Sequence, residues 1–291
     1  MANILRYLSM SIIKTVGVVG AGTMGLGIAQ MAAMAGYRTL LFDANPDAVA
    51  NALLIIEKNL IKGIEKGKID LKAKELALKN IDTVTDLSEL KADLIIEAII
   101  EKLEVKKMVF FQLEMVNGEQ TILASNTSSI PITQIAAGLK RPEQVIGLHF
   151  FNPAHIMKLV EVISGASTDK KVVEQVADFA KSIGKTVVLA ADSPGFIVNR
   201  VARHFYVEGL KVLEEGVADV EGIDSLLEAS GFKMGPFRLM DLIGVDTNFS
   251  VTNSMFNAFY QDAKFRPSRI QQQKVDAGHW GKKSGKGFYS Y

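Results

Sequence analysis

Residues 15–43 of the chain read TVGVVGAGTMGLGIAQMAAMAGYRTLLFD. The run TVGVV at 15–19 is rich in β-branched residues and predicts a short strand. Residues 22–35 are helical in composition, and TLLF at 39–42 predicts a second strand. A strand, a helix and a second strand within about 30 residues form the parallel crossover unit of an α/β sheet.

A glycine-rich turn joins the first predicted strand to the helix. Its sequence fits the pattern G-x-G-x-x-G, which binds a dinucleotide pyrophosphate when it follows a strand and opens a helix. Cofactor binding is therefore assigned to the whole turn: Gly20, Ala21, Gly22, Thr23, Met24 and Gly25. Asp43 ends the second strand, where a carboxylate would accept hydrogen bonds from the adenosine ribose and repel the extra phosphate of NADP. These features predict an NAD site, and a turn that serves packing alone is the alternative.

The remaining sequence predicts two domains. Further short strands are predicted at 83–84, 94–96, 122–124, 145–150, 159–163 and 186–189, with helical segments between most of them. This alternation favours an α/β fold with a Rossmann-type doubly wound sheet. After residue 192 the sequence contains no segment that predicts a strand as clearly as these do. We therefore predict an NAD-binding domain over residues 1–192, followed by an all-helical domain over residues 193–291.

Composition and charge exclude several classes of function. The chain has 291 residues with 33 Lys and Arg and 32 Asp and Glu, which leaves a net charge of +1. Such a balance argues against nucleic acid or an anionic membrane as the main partner. The absence of cysteine removes disulfides, thiolate metal ligands and cysteine nucleophiles. The four histidines lack the close pairing that is typical of zinc sites, so we predict no metal.

The location of the protein is predicted from its apolar segments. No uninterrupted apolar run reaches the ~18 residues that a membrane-spanning helix needs. Residues 1–14 are mildly apolar, but Arg6 interrupts them and no small-residue cleavage site follows. We interpret this stretch as a short extension that leads into the first strand, and we expect a cytoplasmic protein.

His149 is the first candidate for catalysis. It lies late in the predicted strand 145–150, and a turn signal separates that strand from the strand at 159–163. In a hairpin centred near His155, His149 and Glu161 are equidistant from the centre, so their side chains would meet. A carboxylate on one imidazole nitrogen leaves the other nitrogen as a base. An ordinary cross-strand ion pair is the alternative.

Two polar segments contain further candidates. Residues 126–129 read NTSS and follow the strand at 122–124, so Ser128 lies at the carboxyl end of a strand, where doubly wound sheets bind ligands. A turn or a helix N-cap is the alternative there. Residues 192–200 read DSPGFIVNR and place Asn199 about one turn into a helix, where an inward-facing asparagine usually has a specific partner. A buried hinge hydrogen bond is the alternative.

Together these segments resemble the L-3-hydroxyacyl-CoA dehydrogenase family, which includes 3-hydroxybutyryl-CoA dehydrogenases. The resemblance covers the chain from Thr15 to Tyr291. It rests on GAGTMG at 20–25, SNTSS at 125–129, GLHFFNP at 147–153, KLVEVI at 158–163, DSPGFIVNR at 192–200, MGPF at 234–237, DLIGVD at 241–246 and GKKSGKGFY at 281–289. The order of these motifs makes the resemblance specific.

The resemblance implies an activity and a set of site residues. The activity is the reversible oxidation of an L-3-hydroxyacyl-CoA to the 3-ketoacyl-CoA, with hydride transfer to NAD, as in the β-oxidation of fatty acids. His149 is implied as the general base with Glu161 as its orienting partner, and Ser128 and Asn199 as ligands of the substrate oxygens. Positions that match NAD contacts of the family are Glu101, Lys106, Ser128, Asn152 and Lys283. Asn59 and Lys66 fall in the helical hairpin that meets CoA, and the helical domain is implied to form a homodimer.

Two other functions remain compatible with the sequence. A related NAD-dependent dehydrogenase of sugar acids such as L-gulonate would share His149 and Glu161. Lysines around a CoA phosphate would be unnecessary in such an enzyme, and Lys62, Lys66 and Lys68 therefore weigh against it. A non-catalytic NAD-binding protein of the same fold is the second alternative, and the intact set of candidate catalytic residues argues against it.

Overall fold

A computed structural model describes residues 13–291, so the extension predicted over residues 1–14 lies almost wholly outside the described residues. The chain divides into two compact units. The first unit ends at Ser193, and the second runs from Pro194 to Tyr291.

The first unit is built on one eight-stranded sheet. Its strands are β1 (Thr15–Val19), β2 (Arg38–Phe42), β3 (Ile81–Thr83), β4 (Leu94–Glu97), β5 (Ile122–Ser125), β6 (Val145–Phe150), β7 (Leu159–Ser164) and β8 (Thr186–Ala191). They lie in the order β3-β2-β1-β4-β5-β6-β7-β8. Neighbouring strands are parallel except for β6 and β7, which are antiparallel. The predicted Rossmann-type sheet is therefore confirmed, and the hairpin predicted around His155 is part of it.

Helices connect the parallel strands of this sheet. They are α1 (Thr23–Met34), α2 (Pro46–Glu65), α3 (Leu71–Lys79), α4 (Leu103–Val116), α5 (Ile132–Ala136) and α6 (Lys170–Ser182). The apolar faces of α1, α2, α3 and α6 pack into one core with buried residues of the strands, such as Val16 and Val18 of β1. Gly36 follows α1 with a φ of +91°, a left-handed conformation that ends a helix and that glycine adopts without strain.

The carboxyl ends of β1, β4 and β5 lie together at one edge of the sheet because these strands are neighbours and parallel. The connections leaving β1 and β4 go to opposite sides of the strand order, since β2 lies beyond β1 and β5 lies beyond β4. Ligands of doubly wound sheets bind outside the carboxyl ends of the strands at such a switch point. The candidate residues that follow these three strands are placed at this edge.

The second unit is helical. Its helices are α7 (Val198–Glu214), α8 (Val220–Ala229), α9 (Pro236–Ile243), α10 (Val245–Ala258) and α11 (Arg269–Asp276). Buried Tyr206, Leu210 and Phe237 belong to its apolar core. The helix predicted from residue 196 begins two residues later, because Gly195 and Phe196 have φ values of +72° and +50° that a right-handed helix does not allow.

Within residues 13–291, none of the helices combines the length and the apolar composition that crossing a membrane requires.

Candidate active site

The glycine-rich turn between β1 and α1 is shaped by close approaches of the backbone. Gly20 has a φ of +103°, and a Cβ atom there would lie 2.6 Å from the carbonyl oxygen of Ala98. A Cβ atom on Gly25 would lie 1.7 Å from the carbonyl oxygen of Gly20. These two positions admit only glycine. Gly22 differs, because nothing lies within 4 Å of the position of its Cβ atom. The space beside Gly22 is open in the structure and fits a ligand that approaches the backbone.

The first turn of α1 presents its backbone N–H groups to this space. Gly22 is the N-cap residue, and no side chain of the described residues caps the helix. Uncapped N–H groups and the positive end of the helix dipole form an anion site. Thr23 is exposed, Ala21 is buried, and Met24 is half-buried and packs against the apolar core.

Asp43 lies beside the same turn. One of its carboxylate oxygens accepts a hydrogen bond from the N–H of Ala21 at 2.7 Å, and the other accepts one from the N–H of Asn45 at 2.9 Å. The carboxylate is therefore fixed next to the glycine turn, where it can accept hydrogen bonds from the ribose hydroxyls of a bound dinucleotide. The open glycine position, the uncapped helix and this carboxylate together fit NAD.

The position of Asp43 leads to a prediction about the choice of cofactor. The wild-type protein should bind NADH at least ~100-fold more tightly than NADPH, because the carboxylate would face the extra phosphate and the next two residues, Ala44 and Asn45, carry no charge to offset it. Replacing Asp43 with serine and Ala44 with arginine should reduce this preference at least ~10-fold, since arginine can pair with the phosphate. Fluorescence titration with both cofactors measures the two affinities. Equal binding of NADH and NADPH by the wild type would contradict the role of Asp43.

His149 and Glu161 form a buried pair on the antiparallel strands. The two residues are direct partners in the register of β6 and β7, as the hairpin predicts. Nδ1 of His149 lies 2.8 Å from a carboxylate oxygen of Glu161, and these residues are 5% and 0% exposed. A carboxylate that accepts the proton of Nδ1 fixes the tautomer of the imidazole and directs its chemistry to Nε2. The arrangement can therefore move a proton to or from a ligand at Nε2.

Ser128 lies in the loop at residues 126–130, which follows β5. Glu101 holds this loop, because one of its carboxylate oxygens accepts hydrogen bonds from the hydroxyl of Thr127 at 2.6 Å and from the N–H of Ser128 at 3.0 Å. Desolvation alone would raise the pKa of Glu101, but the Lys106 ammonium and these hydrogen bonds outweigh it and hold the pKa below its usual value. Glu101 is therefore ionised at neutral pH and keeps Ser128 at the carboxyl edge of the sheet.

The same loop is tied to the strand that carries His149. The side-chain oxygen of Asn126 accepts a hydrogen bond from the N–H of Phe150 at 2.9 Å. This bond joins the loop that contains Ser128 to the last residue of β6, which follows His149.

Glu97 is a residue of this region that sequence reasoning missed. It is 0% exposed at the end of β4, and its carboxylate lies 2.6 Å from Nζ of Lys106 and accepts a hydrogen bond from the hydroxyl of Ser125 at 2.7 Å. Lys106 also contacts Glu101 at 3.1 Å. The sequence contained one signal for it: Glu97 ends the apolar run LIIE at 94–97. A glutamate in an apolar strand is expected to be buried, and a buried carboxylate requires a cationic partner. The Lys106 ammonium thus links the carboxylates of Glu97 and Glu101, and Glu101 in turn binds the loop that contains Ser128.

Four of the residues that the resemblance implies lie outside this network. Asn152 is exposed on the loop after β6. Asn59 donates a hydrogen bond at 3.1 Å from its side chain to that of Gln30 on α1, and Lys66 is exposed at the end of α2. Lys283, on the second unit, lies 2.7 Å from the carboxylate of Asp246. Asn152, Asn59 and Lys66 thus belong to the first unit, whereas Lys283 belongs to the second.

Asn199 is also on the second unit. It is the second residue of α7 and is half-buried, so it lies in the first turn of that helix. Because α7 begins at Val198, Asn199 comes earlier in the helix than the sequence predicts.

Comparison with known proteins identifies relatives of both units. Residues 15–193 match the NAD binding domain of 3-hydroxyacyl-CoA dehydrogenase, and residues 195–291 match the C-terminal domain of that family. The chain is 51% identical to the 3-hydroxyadipyl-CoA dehydrogenase of Escherichia coli K12 over 281 residues, which cover 96% of this chain. That alignment covers 59% of the E. coli protein, so the chain is similar to little more than half of this relative.

Other relatives match over nearly their whole length. The chain is 43% identical to a probable 3-hydroxybutyryl-CoA dehydrogenase of Bacillus subtilis over 96% of this chain and 98% of that protein. The crystal structure of (S)-3-hydroxybutyryl-CoA dehydrogenase from Ralstonia eutropha matches with a TM-score of 0.92 at 39% identity, over 96% of this chain and 99% of that one.

Proposed function

Because the chain belongs to the 3-hydroxyacyl-CoA dehydrogenase family, we propose that it catalyses the reversible NAD-dependent oxidation of an L-3-hydroxyacyl-CoA to the 3-ketoacyl-CoA. The observation that carries this proposal is the buried His149–Glu161 pair at the edge of the sheet where the dinucleotide turn lies. An oxidoreductase of this kind needs a base for the hydroxyl proton close to the cofactor, and the position of this pair at that edge of the sheet supports such a role. NAD, when bound, accepts the hydride from C3 of the substrate.

His149 moves the proton in the proposed reaction. Nε2 accepts the proton of the substrate hydroxyl during oxidation and returns it to the ketone oxygen during reduction. Glu161 stabilises the imidazolium that forms, because the carboxylate lies 2.8 Å from Nδ1 and is fully buried. Its position on the partner strand also holds the imidazole ring in one orientation.

Further residues have proposed roles in binding the substrate and the cofactor. Ser128 and Asn199 bind the 3-oxygen and the thioester oxygen, and this positioning adds to the acid–base chemistry. Ser128, Glu101, Asn152 and Lys283 contact NAD, and Lys106 acts on the cofactor by holding Glu101, since its own side chain is 1% exposed. Asn59 and Lys66 meet the CoA moiety. We propose residues 1–192 as the NAD-binding domain and residues 193–291 as the domain for substrate binding and homodimer formation, in a cytoplasmic protein of fatty acid β-oxidation.

Two acyl groups are supported for the substrate. The relatives from Bacillus subtilis and Ralstonia eutropha are named for 3-hydroxybutyryl-CoA, and this short acyl group is our first candidate. The E. coli relative at 51% identity is named for 3-hydroxyadipyl-CoA, whose acyl chain ends in a second carboxylate. That name supports a dicarboxylic acyl-CoA as the second candidate. The sugar-acid and non-catalytic alternatives are not favoured, since the relatives are named for hydroxyacyl-CoA dehydrogenases.

Steady-state assays test the proposed function. The purified protein should oxidise NADH in the presence of acetoacetyl-CoA, and the rate should be compared with those for longer 3-ketoacyl-CoAs and for 3-ketoadipyl-CoA. The value of kcat/KM ranks the acyl groups. L-Gulonate with NAD serves as the control for the sugar-acid alternative. Absence of turnover with every 3-ketoacyl-CoA, at NADH concentrations shown to saturate the protein, would contradict the proposal.

A further inference from the structure

Lys185 is a buried cation to which neither the motifs nor the proposed reaction assigns a role. It lies between α6 and the first residue of β8 and is 9% exposed. Burial lowers the pKa of Lys185 to about 8, and no carboxylate of the described residues offsets this effect. A lysine that is desolvated without a counter-ion destabilises the folded state unless its N–H groups find strong acceptors.

The acceptors of this ammonium are two backbone carbonyls of a single loop. Nζ donates hydrogen bonds to the carbonyl oxygen of Ala154 at 2.6 Å and to that of Met157 at 2.5 Å. Both belong to the loop at residues 151–158, which connects β6 to β7. Lys185, which directly precedes β8, therefore binds this loop through two hydrogen bonds.

The 151–158 loop begins next to the proposed catalytic pair. The ring of Phe151, its first residue, lies 4.5 Å from the imidazole of His149, measured between centroids. Asn152, its second residue, is one of the positions proposed to contact NAD. The position of this loop therefore bears on the surroundings of the base and on the cofactor.

The other side of the loop rests on α1. A Cβ atom at Gly27 would lie 3.0 Å from the Cβ atom of Ala154 and 3.5 Å from the backbone nitrogen of His155. Ala154 itself is 1% exposed. Gly27 is two residues beyond Gly25, so the loop packs directly on the helix that begins at the dinucleotide turn. Lys185 thus holds the loop against the helix whose N-terminus fits the pyrophosphate.

We propose that Lys185 is a positioning residue for the cofactor: its ammonium seats the 151–158 loop on α1, so that Asn152 is held where it contacts NAD. The inference rests on the proposed role of Asn152 but not on the identity of the acyl-CoA. An apolar side chain in place of Lys185 would leave the carbonyls of Ala154 and Met157 without their donors. The buried carbonyl of Ala154, once it loses its partner, favours conformations in which water reaches it, and the loop would then leave α1.

The variant Lys185→Met tests this inference, because methionine keeps an unbranched side chain but has no N–H donor. Hydrogen exchange of the amides in residues 151–158 should become at least ~10-fold faster, while exchange in β1 and β4 stays unchanged. NADH binding, followed by fluorescence titration, should weaken at least ~5-fold, as expected when one hydrogen bond is lost. The value of kcat at saturating NADH should change less than ~3-fold, because Lys185 touches no reacting atom.

Lys181→Met provides the matched control. Lys181 lies on α6, its side chain is 62% exposed, and it pairs with Asp178 at the surface. This variant should leave both exchange and NADH affinity as they are in the wild type. Unchanged exchange of residues 151–158 in Lys185→Met would overturn the inference, and so would faster exchange that extends equally to β1 and β4. Neither hydrogen exchange nor the NADH titration uses an acyl-CoA, so failure of the proposed reaction would be seen separately in the steady-state assays.

Discussion

His149→Gln is expected to lower kcat for reduction of a 3-ketoacyl-CoA at least ~100-fold, while the affinity for NADH stays within about twofold. General acid–base catalysis by a positioned side chain contributes about 10²- to 10⁴-fold to a rate, and an amide neither gives nor takes a proton at neutral pH. The glutamine side chain can still donate a hydrogen bond to Glu161. Its packing in the 5% exposed site should therefore be conserved. Steady-state kinetics and fluorescence titration with NADH give the two quantities.

His279→Gln is the control for this prediction, since His279 lies in the C-terminal segment of the second unit and no motif assigns it a role. It should leave kcat unchanged. A His149→Gln variant that kept more than a tenth of the wild-type kcat would show that another group moves the proton. A variant with low kcat and equally weakened NADH binding would show that His149 organises the cofactor site instead.

The hairpin that carries His149 could be predicted from the sequence because its signals are local. The two strands are mostly apolar runs of six residues in the structure, and the loop at residues 151–158 separates them. Their antiparallel register then follows from the position of the turn, since residues equidistant from its centre face each other. The bounds of β6 match the prediction at 145–150, and the predicted partners His149 and Glu161 are paired.

The start of α7 shows how backbone conformation limits this kind of prediction. The composition of residues 196–215 is helical throughout. Phe196 nevertheless has a φ of +50°, which a bulky residue adopts only when the surrounding structure requires it. Periodicity carries no information about such a residue, so the helix was predicted two residues too early.

Glu97 and Lys185 could not be recognised because their partners are distant in sequence or are backbone atoms. Glu97 meets Lys106 nine residues later and Ser125 on the neighbouring strand, and only the order of the strands brings them together. Lys185 binds carbonyl oxygens, which every residue has, so no residue pattern marks its partners. Both residues hold segments next to the proposed site, and neither belongs to a sequence motif that indicates ligand binding.

Gly22 and Gly25, the second and third glycines of the dinucleotide turn, should respond in opposite ways to the same substitution. Gly22→Ala should fold normally, because Gly22 has a φ of −69° and a Cβ atom there meets nothing within 4 Å. A glycine-to-alanine change at such a position restricts the unfolded chain and raises stability by about 0.4–1 kcal/mol. Gly25→Ala should instead lower the melting temperature strongly. Its Cβ atom would lie 1.7 Å from the carbonyl oxygen of Gly20, and no side-chain adjustment relieves a clash with the backbone.

Among the substitutions considered, Gly22→Ala is expected to weaken NADH binding the most. If the pyrophosphate lies against the backbone of Gly22, the added methyl group occupies its space and separates the phosphate oxygens from the N–H groups of α1. NADH binding should then weaken at least ~50-fold in a protein that melts at the wild-type temperature or slightly above it. Thermal melting and fluorescence titration on the same sample separate the two effects. A Gly22→Ala protein that binds NADH as the wild type does would place the pyrophosphate away from this turn, because the open space beside Gly22 would then have no ligand to exclude.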